Sequence, residues 1–319
     1  MLLNIVLLII GFGIIIKSSD ILVDAASSLA LKMKVPKMLI ALTIVSFGTC
    51  APEVAISFQS VSRGDGGMAF ANVIGSCIVN VFLIIGLASF LRPIKVKHAT
   101  IKKELPLLML VTSVFSVLML DRLFNPNTTD LFSRADALVL VLLFGMFVLY
   151  LVYLLFHRDK NSAKDENMNI RYNPIIAIIL LIISLIYIAY SSDIIVTCAK
   201  NIAYELRISE KIITMFIVVV GTSLPEMITT VTSARKGEYD MAIGNIIGTN
   251  IFNVCIVLGM PILIYGDIDL TGFGLVDIGM VLLSSILLFI FASSEKTISK
   301  KEASIMLLLF VIYYVFLLF

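Results

Sequence analysis

The sequence predicts an all-α polytopic membrane protein: ten transmembrane helices in two inverted-topology five-helix repeats, with both termini extracellular. Three observations lead there. The 319 residues are 60% hydrophobic and 14% charged, with mean hydropathy +1.06, whereas soluble domains carry about 25% charged residues. Apolar runs of spanning length recur ten times along the chain. The second half repeats the first at a constant offset of 173 positions, the separation of Glu53 and Glu226.

The runs fall near 2–31, 36–61, 66–90, 101–121, 135–156, 173–204, 209–234, 239–263, 270–293 and 302–319. The opening MLLNIVLLIIG lacks the basic stretch and cleavage site of a leader, so it is expected to be the first span. The most polar interior segment, HRDKNSAKDENMNIRYN, lies between the fifth and sixth runs. It divides the chain into a first repeat (1–157), a cytoplasmic linker (158–172) and a second repeat (173–319). No loop is long enough to hold a soluble domain.

The 173-residue shift carries Ser18-Ser19-Asp20 onto Ser191-Ser192-Asp193. It also carries Gly64 onto Gly237, Asn72 onto Asn245, Asn80 onto Asn253 and Gly86 onto Gly259, without a gap. Each half holds an odd number of runs, so the second must enter the membrane from the opposite side, the architecture of secondary transporters. Seventeen interhelical Lys and Arg residues, among them Lys37, Arg171 and Lys236, fall on one side, and six, among them Arg63 and Arg134, on the other. The excess marks the cytoplasm and places both termini outside, in a multi-pass plasma-membrane protein.

Several classes are excluded. A net charge of +2 without a basic cluster argues against nucleic acid. Cys50, Cys77, Cys198 and Cys255 sit in apolar runs without metal spacing and read as packing residues. No GxxxxGK[ST] segment is present, so ATP is not the expected driving force. His98 and His157 fall in loops, which leaves no intramembrane zinc ligands, and the chain is not expected to be an enzyme or to hold a cofactor. Its surroundings are the lipid bilayer, and no obligate protein partner is evident.

The chemistry is concentrated in a doubled motif. SFGTCAPEVAIS (46–57) and VVGTSLPEMITT (219–230) each place Gly, Pro and a carboxylate inside an apolar run. Pro52 and Pro225 donate no N–H, so carbonyls a turn earlier lose partners. In a membrane such carbonyls are tolerated only where protein or an aqueous cavity meets them. Glu53 and Glu226 fall in paired helices that an inverted repeat brings together near the midplane. Two neighbouring carboxylates repel unless a proton or a cation lies between them. No Lys or Arg lies near either motif, so a transported cation is the expected partner, and an all-oxygen set suits Ca2+. The runs that follow add NVIGSCIVN (72–80) and GNIIGTNIFN (244–253). Ser76 and Asn80 share a helix face, as do Thr249 and Asn253. Gly75 and Gly248 allow close approach to the broken helices.

This doubled pattern, centred on residues 46–86 and 219–259, resembles the two alpha repeats of the cation/Ca2+ exchanger superfamily, closest to short prokaryotic Na+/Ca2+ exchangers. The resemblance covers the whole chain. It implies that Glu53 and Glu226 bind Ca2+ with the carbonyls of Thr49 and Thr222. It implies that Na+ shares these acids and also uses Ser223, Ser76, Thr249 and the carbonyls of Ser46 and Val219. Asn80 and Asn253 would face the centre, and the first and sixth helices would slide to alternate access. Cys50 stands where the family usually has a serine that helps hold Na+, and a thiol is a weak ligand for a hard cation. Asn253 stands where the K+-dependent branch has aspartate. The implied function is electrogenic exchange of Na+, three ions, for one exported Ca2+; a H+/Ca2+ antiporter is the alternative, and a passive channel fits the repeat less well. Asp20 and Asp193 stay outside the expected site, and Ser57, Ser60 and Thr229 to Thr232 read as helix packing.

Overall fold

The computed structural model describes residues 2–120, 131–156, 171–206, 219–270 and 273–318. Helix α1 spans Leu2–Met33. Helix α2 (Lys37–Thr49) meets α3 (Ala51–Ser62) at a 50° bend. Then come α4 (Gly66–Leu91), α5 (His98–Lys102), α6 (Glu104–Leu118) and α7 (Arg134–Phe156). The second half holds α8 (Pro174–Glu205), α9 (Val219–Thr222), α10 (Leu224–Lys236), α11 (Tyr239–Tyr265), α12 (Leu275–Ser294) and α13 (Lys300–Leu318). Within the described residues each apolar run therefore coincides with a helix or an interrupted helix; positions 209–218 of the seventh run lie outside them. Most of the polar linker, with His157, lies outside the described residues. Among those described, α1, α4, α7, α8, α11 and α12 are each long and apolar enough to cross a membrane, and the bent pair α2–α3 is a candidate seventh. The protein is thus a predominantly helical, multi-pass membrane protein.

One local departure from an all-α chain is present. Two antiparallel ladders of two residues each join β1 (Ile94–Lys95) to β4 (Thr297–Ile298) and β2 (Leu131–Phe132) to β3 (Ile268–Asp269). Both pair one half with the other and satisfy interhelical backbone groups. They are too short to carry a periodic signal.

The halves match at several points. Gly64 and Gly237 both adopt φ +81, and the amides of the next residues, Asp65 and Glu238, bond back to the carbonyls of Ser60 and Ser233. In the first half Tyr150 donates to Glu104; in the second Tyr313 donates to Asp277 at 2.9 Å. Thr112 and Ser285, 173 apart, share a buried hydrogen bond of 2.9 Å where α6 meets α12.

Burial separates centre from periphery. In the most apolar windows of α4 and α11, 78% of residues are buried, against 28% in α1 and 33% in α8. The peripheral pair packs lengthwise against itself, with Ile9, Ile10, Ile179 and Ile186 exposed, as lipid-facing helices require. The central pair fits tightly. A Cβ on Gly248 would stand 2.9 Å from the Leu42 backbone, so α11 touches α2 at a glycine, as expected from the motif. Lys37, one of the interhelical charges expected on the cytoplasmic side, is buried and pairs with Glu238 at 2.8 Å. Removing one partner of such a pair costs about 3–5 kcal/mol.

Candidate cation site

The bend falls where the motif places it. α3 begins Ala51-Pro52-Glu53 and α10 begins Leu224-Pro225-Glu226, with proline in the first turn, where its missing N–H costs nothing. Cys50 (φ −74, ψ 3) and Ser223 (φ −85, ψ 9) precede them, both in the sparsely populated bridge region. Neither side chain caps its helix, so both remain available. Each glutamate sits third in its helix, at a positive dipole end that favours the carboxylate.

Glu53 and Glu226 are each 0% exposed and close enough to interact electrostatically. None of their four carboxylate oxygens has a hydrogen-bond partner of ordinary geometry. The Thr49 hydroxyl and the Cys50 thiol nevertheless lie against Glu226. The Cys50 thiol also lies against Thr249. Burying a carboxylate without a partner costs several kcal/mol, and two such acids side by side repel as well. The arrangement therefore suits a positive charge between them. Among the described residues no group of three or more His, Cys, Asp or Glu forms a metal cluster, so neutral oxygens must complete any cation shell.

Those oxygens are at hand. The Ser223 hydroxyl meets that of Ser76 at 3.4 Å, joining the two halves. The Thr249 hydroxyl, the Asn80 Oδ1 and both amide atoms of Asn253 are buried without partners. Thr222 is buried beside them in sequence. One expected ligand is already engaged. The Ser46 carbonyl already accepts from the Cys50 amide at 3.2 Å and from the Thr49 hydroxyl at 3.1 Å, because the chain closes a last turn before the bend. Val219 opens α9 at the edge of the described residues.

The structure also contains features the motif did not signal. π-helical turns at Ala41–Val45, Val79–Ile85 and Asn253–Leu258 flank the site; such turns frequently mark functional positions. Unpartnered buried atoms extend beyond these oxygens, to Ser57, Asn72, Thr229, Ser233 and Asn245 Oδ1. Of the residues read as helix packing, Ser57 and Thr229 thus continue the buried polar column, and the Thr230 hydroxyl accepts from Asn245 Nδ2 at 3.0 Å. Asn250, which no repeat pattern marks, donates to the Cys77 carbonyl and accepts from Asn80.

A membrane-embedded fold whose doubled, broken helices hold two bare acids and a shell of neutral oxygens defines an ion transporter. The comparisons carry this further. A family model described as sodium/calcium exchanger protein matches residues 3–153 and 176–319. The chain is 30% identical over 344 residues to the sodium/calcium exchanger MaX1 of Methanosarcina acetivorans, covering 98% of each chain. It is 35% identical to the inner membrane protein YrbG of Escherichia coli K12 over 295 residues, 90% of this chain and 88% of that one. Its fold is similar to that of the sodium-calcium exchanger NCX_Mj, with TM-score 0.82, 27% identity, and 98% and 97% of the two chains covered. The chain belongs to the sodium/calcium exchanger family and is an antiporter of that family.

Proposed function

We propose that this antiporter exchanges three Na+ for one Ca2+ and exports Ca2+ from the cytoplasm. The observation that carries the reading is the set of four unpartnered carboxylate oxygens on Glu53 and Glu226, buried together at the centre of the fold. Ca2+ takes these acids with oxygens from Thr49, Thr222, Asn80 and Asn253; Na+ takes the acids with Ser76, Ser223, Thr249 and the carbonyls of Ser46 and Val219. On this reading the chain makes ten spans in two inverted five-helix repeats, 1–157 and 173–319, joined by a cytoplasmic linker, with both termini outside.

Alternation follows from the peripheral pair. Ser19 of α1 donates to the Ile228 carbonyl at 3.3 Å, whereas its counterpart Ser192 of α8 donates to the Gly221 carbonyl at 3.1 Å. Under the 173-residue shift these contacts are not equivalent, so α1 and α8 sit at different heights on a core that is itself two-fold. Sliding the pair to the mirror position would place Ser19 at the Gly48 carbonyl and Ser192 at that of Ala55, opening the other side.

The test is Ca2+ uptake into proteoliposomes with outward gradients of Na+, K+ or H+ imposed separately. Two glutamates hold one Ca2+ at zero net charge and three Na+ at +1. A moving charge is worth about 2.3 kcal/mol per 100 mV. Uptake into Na+-loaded vesicles should therefore accelerate when valinomycin and K+ make the interior positive. Uptake driven by H+ alone, or indifferent to potential, would favour the proton-coupled alternative. Cys50 offers a finer check. Cys50→Ser should strengthen apparent Na+ affinity and leave that for Ca2+ nearly unchanged, because a hydroxyl is the better ligand for a hard cation. A shift in Ca2+ affinity alone would show that position 50 does not serve Na+.

A further inference from the structure

We infer that Asn250 is a positioning residue that determines which end of the Asn80 amide faces the cation; the inference rests on the reading of Asn80 as a ligand. Asn250 is buried in α11, one residue past Thr249. Its Nδ2 donates to the Cys77 carbonyl at 3.4 Å. A backbone carbonyl can only accept, so this contact requires the amino end of the Asn250 amide at Cys77. The carbonyl end is then turned to Asn80, whose Nδ2 donates to Asn250 Oδ1 at 2.8 Å. Asn80 thereby commits its amino group to the protein, and its Oδ1 is left buried and unpartnered.

The sign of the effect is plain. With this orientation Asn80 offers an oxygen, the atom a hard cation needs. Flipped, it would offer two N–H groups and a dipole of the wrong sense, and would set its carbonyl oxygen against an acceptor that is already fixed. The device exists in one half only. The 173-residue shift carries Asn250 onto Cys77, and Asn253 has neither end of its amide held. The two asparagines are therefore not interchangeable: Asn80 is preset as an oxygen ligand, and Asn253 is free to turn.

The test is a double-mutant cycle on the full chain in proteoliposomes, with saturation curves for Na+-dependent Ca2+ uptake. Asn250→Leu keeps the volume and loses both hydrogen bonds. It should raise the KM for Ca2+ about tenfold, the scale set by a mis-satisfied buried polar group, with a smaller change in maximal rate. In an Asn80→Ala background the same substitution should change KM by less than about twofold, since coupled sites lose their coupling when one partner is gone. Asn250→Asp still offers Asn80 an acceptor but loses the donor to the Cys77 carbonyl, so its KM should lie between those of wild type and Asn250→Leu; this variant also serves if the leucine substitution does not fold. An Asn250→Leu effect undiminished in the Asn80→Ala background would overturn the inference and leave Asn80 as a ligand. An Asn250→Asp protein as impaired as Asn250→Leu would overturn it equally. If Asn80→Ala itself leaves KM unchanged, Asn80 is not a ligand and the underlying reading fails first.

Discussion

Glu226→Gln and Glu53→Gln should each abolish Ca2+ exchange. The substitution keeps the shape and one carbonyl oxygen but removes one of two charges. The acids are fully buried, and no side-chain cation pairs with them among the described residues, so a bound divalent ion would be left half-compensated in a low-dielectric centre. Stripping one partner from a buried charge pair costs about 3–5 kcal/mol, or about 200- to 5,000-fold in affinity. The double variant should be no worse than either single one, because both acids serve one ion. Stability should move the other way. In ion-free protein the two carboxylates repel and are buried without a charged partner among the described residues, so either substitution should hold or raise the thermal midpoint in chelator. Uptake of radioactive Ca2+ and thermal unfolding in detergent separate the effects. A variant that keeps a tenth or more of wild-type flux would remove its glutamate from the site; one that loses flux and also melts early would point to misfolding instead.

What was legible in the sequence is what the repeat doubles. Glu53 and Glu226, the prolines beside them and the polar turns that follow could be paired by a fixed shift, and a doubled carboxylate in an apolar run has few structural uses. Features confined to one half were invisible for the same reason. Asn250 has a cysteine as its twin, so no comparison between halves marks it. The π-helical turns leave the apolar pattern intact, because a single extra residue per turn displaces a face without changing its composition. Lys37 looked like one more positive charge at a helix start, and only packing of α2 against α11 puts it beside Glu238. The engaged Ser46 carbonyl depends on where the helix ends, a boundary that propensity places only to within a few residues.

Asp20 shows the same limit and leads to the second large effect. It and Asp193 are doubled, yet they do different things. Lys236 at the end of α10 reaches α1, donating to Asp24 at 2.7 Å and to the Asp20 carbonyl at 2.7 Å. Arg171 closes on Asp24 from the start of α8. A polar cavity of about 380 Å³ lies among Asp24, Ser27, Ser28, Arg171, Lys236 and Glu238. The symmetry mates of Lys236 and Asp20 are Arg63 and Asp193; both are exposed, and neither forms an ion pair among the described residues. If α1 and α8 slide in the orientation proposed, the first cluster latches what is then the cytoplasmic side in this conformation, and Arg63 with Asp193 takes its place in the other. Tethering α1 to α10 should then stop transport altogether. Cysteines at positions 24 and 236, joined by a short bifunctional thiol reagent, should abolish Ca2+ exchange in proteoliposomes, and reduction of a cleavable tether should restore it. The native cysteines are all buried, which keeps background reaction low. Releasing the latch should act in reverse. These pairs are partly exposed, so together they are worth about 1 kcal/mol. Lys236→Ala should therefore shift the two conformations about fivefold toward the cytoplasm-open one and raise cross-linking between cysteines placed at 63 and 193. Full exchange in the tethered 24–236 protein would show that α1 does not move against α10, and an unchanged 63–193 yield after Lys236→Ala would show that the two ends are not exchanged by the slide.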